Sequence, residues 1–169
     1  MGVLVFLIGL LAQPLQAAEL NGVPFVRQTP GACGPAALAS VMAYYGTPVE
    51  LEVIVRATYT PAFKGALVSD LENFARAWGF CTELKQGDQA SIKGAIDRGQ
   101  PVIVLVDLGF WVVSRPHYLV VTAYDENGFT AHSGYRAGEY FSFQRFERLW
   151  KRKGSVALIV WPSEALSSH

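Results

Sequence analysis

A cysteine, a histidine and a glutamine in this sequence have the chemistry that catalysis by a thiol nucleophile requires. Cys33 follows a loop of turn-forming residues and begins a segment whose apolar residues recur at helical spacing. The N-terminal end of a helix favours a thiolate, because the helix dipole and free N–H groups stabilise negative charge there. His117 is the candidate general base and acid. The side-chain amide of Gln28 is a candidate donor to the oxyanion that forms on attack at a carbonyl.

Each of these residues also has an ordinary structural interpretation. A buried cysteine commonly packs as a small hydrophobe, a histidine at a strand end is often structural, and a loop glutamine is usually solvated. A disulfide between Cys33 and Cys81 would use the same thiol differently and would remove the nucleophile. The combination of Gln28, Cys33 and His117 favours catalysis over these alternatives.

The first half of the chain is predicted to be helical. The loop that contains Gln28 leads into a helix from Cys33 to Gly46, with Pro35 in its first turn. Three further helices are predicted, and they cover residues 49–57 with Thr47 as N-cap, the segment from a capping box at Ser69 to Gly79, and residues 89–98.

The second half is predicted to form strands. Residues 102–106 are apolar and mostly β-branched, which is typical of a central strand buried on both faces. His117 begins the next strand, which ends at a hairpin turn over residues 125–128. Short strands near 129–133, 140–141 and 155–161 and a helix capped by Ser142 complete the chain. This order predicts an α+β fold, in which packing of the helical half on an antiparallel sheet brings His117 towards Cys33.

The composition excludes several classes of function. The 169 residues suffice for one domain with a real core, and the formal net charge is 0. There is no basic face to indicate a nucleic-acid partner. The sequence has no Cys-x-x-Cys pair, and its three histidines are scattered, so we expect no metal site and no cofactor.

The first residues resemble a targeting segment. An apolar run over residues 3–12 is followed by Pro14 and then by the small residues Ala17 and Ala18. This pattern predicts a signal peptide over residues 1–18, a single domain over 19–169, and export to the periplasm or the medium. The segment before the run has no Lys or Arg, so an upstream start and an uncleaved membrane anchor remain as alternatives, beside a buried core segment. Membrane contact is expected only through an uncleaved leader.

Taken together, the motifs are similar to those of a known family. Gln28, the run Cys33-Gly34-Pro35-Ala36-Ala37-Leu38 and the run His117-Tyr118-Leu119-Val120-Val121 resemble the papain-like cysteine peptidases that process double-glycine leaders. These are best known as the N-terminal domain of bacteriocin ABC exporters. The strand from Gly99 to Val104 and the turn at Tyr124-Asp125 also match, and His132-Ser133-Gly134 is similar to the stand-alone exported branch. The resemblance implies a papain-like fold, a peptide or protein substrate, and cleavage after small residues such as Gly-Gly.

Two positions depart from the family pattern. Four residues separate Gln28 from Cys33, where the family usually has five. The Asp or Asn that orients the histidine is expected where this chain has Ser133. A hydroxyl can accept a hydrogen bond from the imidazole, but it cannot stabilise an imidazolium as a carboxylate does. Asp125 is the nearest carboxylate after His117, and capping of the hairpin turn is the better interpretation of it.

The aromatic residues Phe110 and Trp111 lie in the loop before His117. Two interpretations are open for them, namely lining of the substrate cleft and cover for the sheet edge.

Three functions follow from this sequence. The first is a cysteine endopeptidase that hydrolyses peptide bonds through a thioacyl intermediate on Cys33. The second is a degenerate peptidase-like domain that binds a peptide or exported protein without cleaving it, which the missing carboxylate favours. The third keeps the thioacyl chemistry but transfers the acyl group to an amine instead of water.

Overall fold

A large antiparallel sheet separates the helices of this protein into two groups. The structure is a computed structural model and describes residues 17–164. Its helices are α1 (Cys33–Tyr44), α2 (Leu51–Thr58), α3 (Val68–Ala77), α4 (Gln89–Asp97) and α5 (Phe143–Lys151). Its strands are β1 (Ala18–Glu19), β2 (Tyr59–Thr60), β3 (Gly65–Ala66), β4 (Phe80–Gln86), β5 (Val102–Asp107), β6 (Pro116–Tyr124), β7 (Gly128–His132), β8 (Glu139–Ser142) and β9 (Val156–Pro162).

The sheet has the strand order β4-β9-β5-β6-β7-β8, and β1 pairs with the far end of β6. A separate hairpin, β2 with β3, is joined by a short 3-10 turn over Pro61–Phe63. Since β5 lies between β9 and β6, both of its edges are paired, as predicted for a central strand.

Alternation along β5 and β6 explains why helices cover both faces of the sheet. Ile103, Tyr118 and Val120 point to one face and pack in a cluster with residues of α1, α2 and α3. Val104 and Leu119, one residue away, point to the opposite face and pack with α4 and α5. The predicted α+β class is confirmed. The packing differs from the expectation in one respect, because α4, which belongs to the predicted helical half, lies with α5 on the second face instead of with α1, α2 and α3.

Two of the predicted helix N-caps, Thr47 and Ser69, are wrong, and the third, Ser142, is confirmed. α2 begins at Leu51 after Glu50, so Thr47 caps nothing. α3 begins at Val68, and its N-terminus has no side-chain cap, so the capping box at Ser69 does not form. Burial of apolar residues of this helix against the core determines where it begins, and tertiary packing overrides the local signal. The predicted cap Ser142 does accept a hydrogen bond from the Arg145 N–H.

The predicted leader lies almost entirely outside the described residues. Of its final residues, Ala17 is described and Ala18 belongs to β1, which pairs with β6 at Tyr124. Within residues 17–164, no helix is long and apolar enough to cross a membrane.

Candidate active site

Cys33 is the first residue of α1 and is half-buried. The N–H groups in the first turn of a helix have no intrahelical acceptors, so they remain available to an anion near the thiol. The next residue, Gly34, allows the helix to approach the sheet closely. A Cβ atom at Gly34 would lie 3.0 Å from a methyl carbon of Leu71 and 3.1 Å from the Tyr118 ring. The helix therefore holds Cys33 in a fixed position beside β6.

Both cysteines of the chain are free thiols. Cys81 lies on the edge strand β4, where it is paired with Trp161 of β9. The alternative of a disulfide between Cys33 and Cys81 is not realised, and the Cys33 thiol is reduced.

His117 is the second residue of β6 and is 5% exposed. Its Nε2 lies 2.6 Å from the main-chain carbonyl oxygen of Ser133, and its ring stacks on Tyr135 at 6.1 Å between centroids. A carbonyl oxygen accepts hydrogen bonds and never donates them, so Nε2 must carry a proton. In the neutral imidazole Nδ1 is then the basic nitrogen. This is the tautomer that a general base acting through Nδ1 needs.

Burial lowers the pKa of His117 below its ordinary value of 6.5. The hydrogen bond to Ser133 opposes this shift, the nearby Arg115 cation adds to it, and the carboxylate of Glu139 opposes it. The imidazole is therefore neutral at pH 7 and able to accept a proton. Sequence reasoning missed Glu139, which comes 22 positions after His117 in the chain and reaches it electrostatically through the pairing of β7 and β8.

Ser133 contacts His117, but it does so through a different atom from the hydroxyl oxygen that the sequence indicates. Its hydroxyl interacts with the main chain of Arg136, at 3.3 Å from the N–H and 3.4 Å from the carbonyl oxygen. The contact with the imidazole comes from the Ser133 carbonyl. The prediction that the Ser133 hydroxyl orients the ring is therefore wrong, because that hydroxyl closes the turn that follows β7.

The prediction that Asp125 orients the His117 ring is also wrong. Its carboxylate accepts hydrogen bonds from the N–H groups of Asn127 and Gly128 and from the hydroxyl of Tyr140. It lies directly after β6, whereas His117 lies at the start of that strand. A strand of this length separates the two ends by roughly 25 Å. The interpretation of Asp125 as a turn cap is the correct one.

Gln28 contacts the segment Ser133–Gly134, which His117 also contacts. Its N–H donates to the carbonyl oxygen of Gly134 at 3.0 Å, and its side chain is 8% exposed. A Cβ atom at Gly134 would lie 2.1 Å from Oε1 of Gln28, and Gly134 has φ +76°, so only glycine suits this position. Among residues 17–164, Oε1 of Gln28 has no hydrogen-bond partner. Cys33 and Gly134 line one small cavity, which places all three candidates around the segment Ser133–Gly134.

A larger cleft of about 400 Å³ opens beside Cys33. The Tyr118 hydroxyl donates to the Ala66 carbonyl at 3.1 Å and joins the hairpin of β2 and β3 to the sheet. Burial raises the pKa of Tyr118, and the Cys33 and Asp70 charges add to the shift, so this phenol stays protonated. The cleft walls are mostly apolar and comprise Phe63, Lys64, Gly65, Ala66, Leu67, Leu105, Pro116, Tyr118 and Lys153.

Phe110 and Trp111 do not line this cleft. Both are almost completely exposed, at 88% and 84%, in the loop between β5 and β6. The prediction that they form the cleft wall is wrong, and they do not cover the sheet edge either. Their neighbour Pro116, at the base of the loop, does line the cleft.

His132 also lies near Cys33, but both of its ring nitrogens are occupied. Nε2 lies 3.0 Å from the Val23 carbonyl oxygen, and Nδ1 accepts from the Gly138 N–H at 3.1 Å. In the described part of the chain His117 makes one ring hydrogen bond and leaves Nδ1 free, whereas His132 has no free nitrogen. No cluster of three or more potential metal ligands occurs among the described residues.

The Cys33 thiol and the His117 ring are not hydrogen-bonded to each other within residues 17–164. Such pairs are often longer in an unliganded site and shorten when the substrate binds. What the fold supplies is a thiol at a helix start and a neutral imidazole with Nδ1 free on the adjoining strand.

Comparison with known proteins identifies the family of this chain. The model of the peptidase C39-like family matches residues 20–158. The peptidase domain of Streptococcus ComA, a bifunctional ABC transporter of a quorum-sensing pathway, is 25% identical, with a TM-score of 0.71 over 83% of this chain and 99% of that domain. No curated protein sequence gave a match.

Two more distant structures share the fold. A putative C39-like peptidase from Bacillus anthracis is 17% identical, with a TM-score of 0.74 over 87% of this chain and 98% of that one. A double-glycine-motif protease of an AMS/PCAT transporter, solved in complex with the leader peptide, is 19% identical, with a TM-score of 0.69 over 86% and 95%. With the family model covering most of its length, this chain belongs to the peptidase C39-like family.

Proposed function

We propose that this protein is a cysteine endopeptidase that cleaves a peptide or protein through a thioacyl intermediate on Cys33. The observation that carries the proposal is the hydrogen bond of 2.6 Å between His117 Nε2 and the carbonyl oxygen of Ser133. It fixes the imidazole as the tautomer whose Nδ1 can take a proton. Membership of a peptidase family and a thiol at the start of α1 support the same conclusion.

The reaction follows from these groups. Nδ1 of His117 takes the proton of the Cys33 thiol, and the thiolate attacks the carbonyl carbon of the scissile bond. The N–H of Cys33 and the amide nitrogen of Gln28 donate to the oxyanion. The imidazolium then gives its proton to the leaving amine. Water, deprotonated by the same Nδ1, hydrolyses the thioester and restores the thiol.

The substrate is proposed to combine small residues with an apolar side chain. The fold is shared with a double-glycine-motif protease solved with its leader peptide, which supports cleavage after small residues such as Gly-Gly. The cleft beside Cys33 has walls formed by Leu67, Leu105 and Tyr118, which favour an apolar side chain near the scissile bond.

The test is cleavage of a peptide mixture by the purified chain, with products identified by mass spectrometry. We expect peptides with Gly-Gly at the cleaved bond and an apolar residue nearby to react first. Cys33→Ala should abolish cleavage, and the matched control Cys81→Ser should keep it. Cleavage that survives in Cys33→Ala would contradict the mechanism.

A second candidate is a domain that binds a peptide without cleaving it. It is favoured by one observation, namely that a main-chain carbonyl takes the place of a carboxylate at the imidazole of His117. A carbonyl orients the ring but stabilises an imidazolium less than a carboxylate does. Tight peptide binding by calorimetry, with no product after prolonged incubation, would favour this candidate over the peptidase.

Export is proposed on the apolar run and small residues before Glu19. Fractionation of cells that produce the full chain tests it, with N-terminal sequencing of the exported form. Cleavage near Ala17 or Ala18 is the expected result, and recovery of the intact chain from the cytoplasm would contradict it.

A further inference from the structure

The loop between β5 and β6 presents four consecutive apolar side chains to solvent. Phe110, Trp111, Val112 and Val113, here called the apolar tip, are 88%, 84%, 80% and 66% exposed. Single exposed apolar residues are common on protein surfaces, but a contiguous group of this kind marks an interaction site. The apolar tip has no role in the proposed chemistry, because none of its residues lines the cleft beside Cys33.

The loop that carries the apolar tip is held in place by hydrogen bonds at its base. Asp107 accepts hydrogen bonds of 2.8 Å from the N–H groups of Gly109 and Arg115 and from the Ser114 hydroxyl. Burial raises the pKa of Asp107, but these bonds and the Arg152 cation outweigh it and bring the pKa to about 2. Asp107 is therefore ionised at physiological pH and fixes the base of the loop.

Arg152 fixes the upper part of the loop. Its guanidinium donates to the carbonyl oxygens of Gly109 at 2.9 Å and of Trp111 at 3.3 Å. The loop backbone also closes on itself, with a bond from the Val113 N–H to the Phe110 carbonyl. With the backbone held in this way, the side chains of the apolar tip project outward, where burial would otherwise favour their collapse onto the protein.

Cations surround the base of the loop. Arg115 is exposed, and Arg152 and Lys153 lie 3.8 and 3.6 Å from the Asp107 carboxylate. Two of these cations therefore lie against one carboxylate, which is itself buried at 3% exposure, and Arg115 adds an exposed positive charge on the loop. The loop has an excess of positive charge directly behind its apolar side chains.

An apolar tip with Trp and Phe in front and cations behind fits an anionic lipid surface better than a protein partner. Tryptophan is favoured at the membrane interface, apolar side chains enter the acyl boundary, and lysine and arginine attract anionic headgroups. A specific protein interface needs roughly 800 Å² on each partner with shape complementarity, whereas this feature is a short projecting loop tip.

We propose that the apolar tip and the cations behind it dock this protein on the surface of an anionic membrane. Docking at this site places the cleft close to the bilayer, because Pro116 and Lys153 belong both to the loop base and to the cleft wall. On the hairpin side of the cleft, Phe63 is 65% exposed and also faces solvent. The enzyme would then meet substrates at the membrane surface. The proposal does not depend on peptidase activity.

The experiment uses the full chain with Cys33→Ala, so that any cleavage is removed. The probe is the fluorescence of Trp111, obtained as the difference between this protein and the same protein with Trp111→Phe. The vesicles contain phosphatidylglycerol and phosphatidylcholine in equal parts, and vesicles of phosphatidylcholine alone serve for comparison. A local probe is needed because any membrane contact of the leader is common to all variants.

We expect the Trp111 emission to shift to the blue with the anionic vesicles and to be quenched by lipids brominated in their acyl chains. Partition measured by this shift should be about tenfold stronger for anionic than for zwitterionic vesicles and should weaken as salt is added. Trp78 is the matched control, because it is 41% exposed and lies just before β4, at the opposite end of the sheet from the apolar tip. Its emission, obtained in the same way from Trp78→Phe, should not change.

Three results would overturn the proposal. The first is an unchanged Trp111 emission with anionic vesicles. The second is an equal blue shift of the Trp111 emission with both vesicle types, which would show that the cations do not contribute to binding. The third is a blue shift of the Trp111 emission in buffer that grows with protein concentration and is lost in the double variant Phe110→Ser with Val112→Ser, which keeps the Trp111 probe. That result would make the apolar tip an interface between two copies of this chain.

Discussion

The two histidines near Cys33 are held in similar ways but have different capacities. Each places Nε2 against a main-chain carbonyl, of Ser133 for His117 and of Val23 for His132. The difference lies at Nδ1. In His132 it accepts from the Gly138 N–H, whereas in His117 it has no hydrogen-bond partner among residues 17–164. A histidine whose two nitrogens are both occupied stabilises the fold, and one with a free basic nitrogen can transfer protons.

The largest expected effect is the loss of activity in His117→Gln. The glutamine amide can still donate to the Ser133 carbonyl, but it has no basic nitrogen. We expect kcat/KM for peptide cleavage to fall about 10³-fold with little change in the urea midpoint. The matched variant His132→Gln should keep activity within a small factor. Equal losses in both variants would remove the distinction between the two histidines.

Next in size is the effect of Gln28→Ala on the oxyanion. Removal of one donor should lower kcat by about 100-fold with a smaller change in KM. Gly134→Ala should act in the same direction, since its Cβ would displace the Gln28 side chain. The control is Gln100→Ala, because Gln100 is another glutamine, partly buried, but lies away from Cys33. A rise in KM at constant kcat would show that Gln28 binds the ground state instead.

A third variant, His132→Leu, measures the structural half of the comparison. It leaves the Val23 carbonyl and the Gly138 N–H without their partner and removes the edge contact with Phe25. The free energy of unfolding should fall by about 1–3 kcal/mol, measured by urea titration. Stability equal to that of the unsubstituted protein would mean that the two hydrogen bonds contribute nothing.

Ser133→Ala should have the smallest effect. The serine contacts the imidazole through its carbonyl, which alanine keeps, so kcat/KM should stay within about twofold. A 100-fold loss of kcat/KM would show that the Ser133 hydroxyl orients the imidazole after all. This variant separates the residue that the sequence indicates from the atom that the structure assigns.

Much of this architecture follows from local sequence patterns. The apolar run of β5 predicts a strand buried on both sides, and Ser142 predicts the start of α5, because burial and capping act within a few residues. The starts of α2 and α3 do not follow, since packing against the core sets them.

The site shows the same limit in atomic detail. Residue type and order suffice to propose Cys33, His117 and Gln28 as the site. The group that holds the imidazole is a backbone carbonyl, which every residue has and no sequence pattern marks. The exposure of Phe110 and Trp111 also depends on a remote arginine, Arg152, which holds their loop from α5's end.

The central claim is that His117 activates the Cys33 thiol. The direct measurement is the rate of Cys33 alkylation by iodoacetamide against pH, in a Cys81→Ser background, with and without His117→Gln. Because burial lowers the pKa of His117, its neutral form persists below pH 6.5, and the enhanced rate should persist there too. We predict alkylation at pH 6 to 7 at least about tenfold faster than for a free cysteine, and an ordinary rate in His117→Gln. Equal rates in the two proteins at every pH would contradict the account.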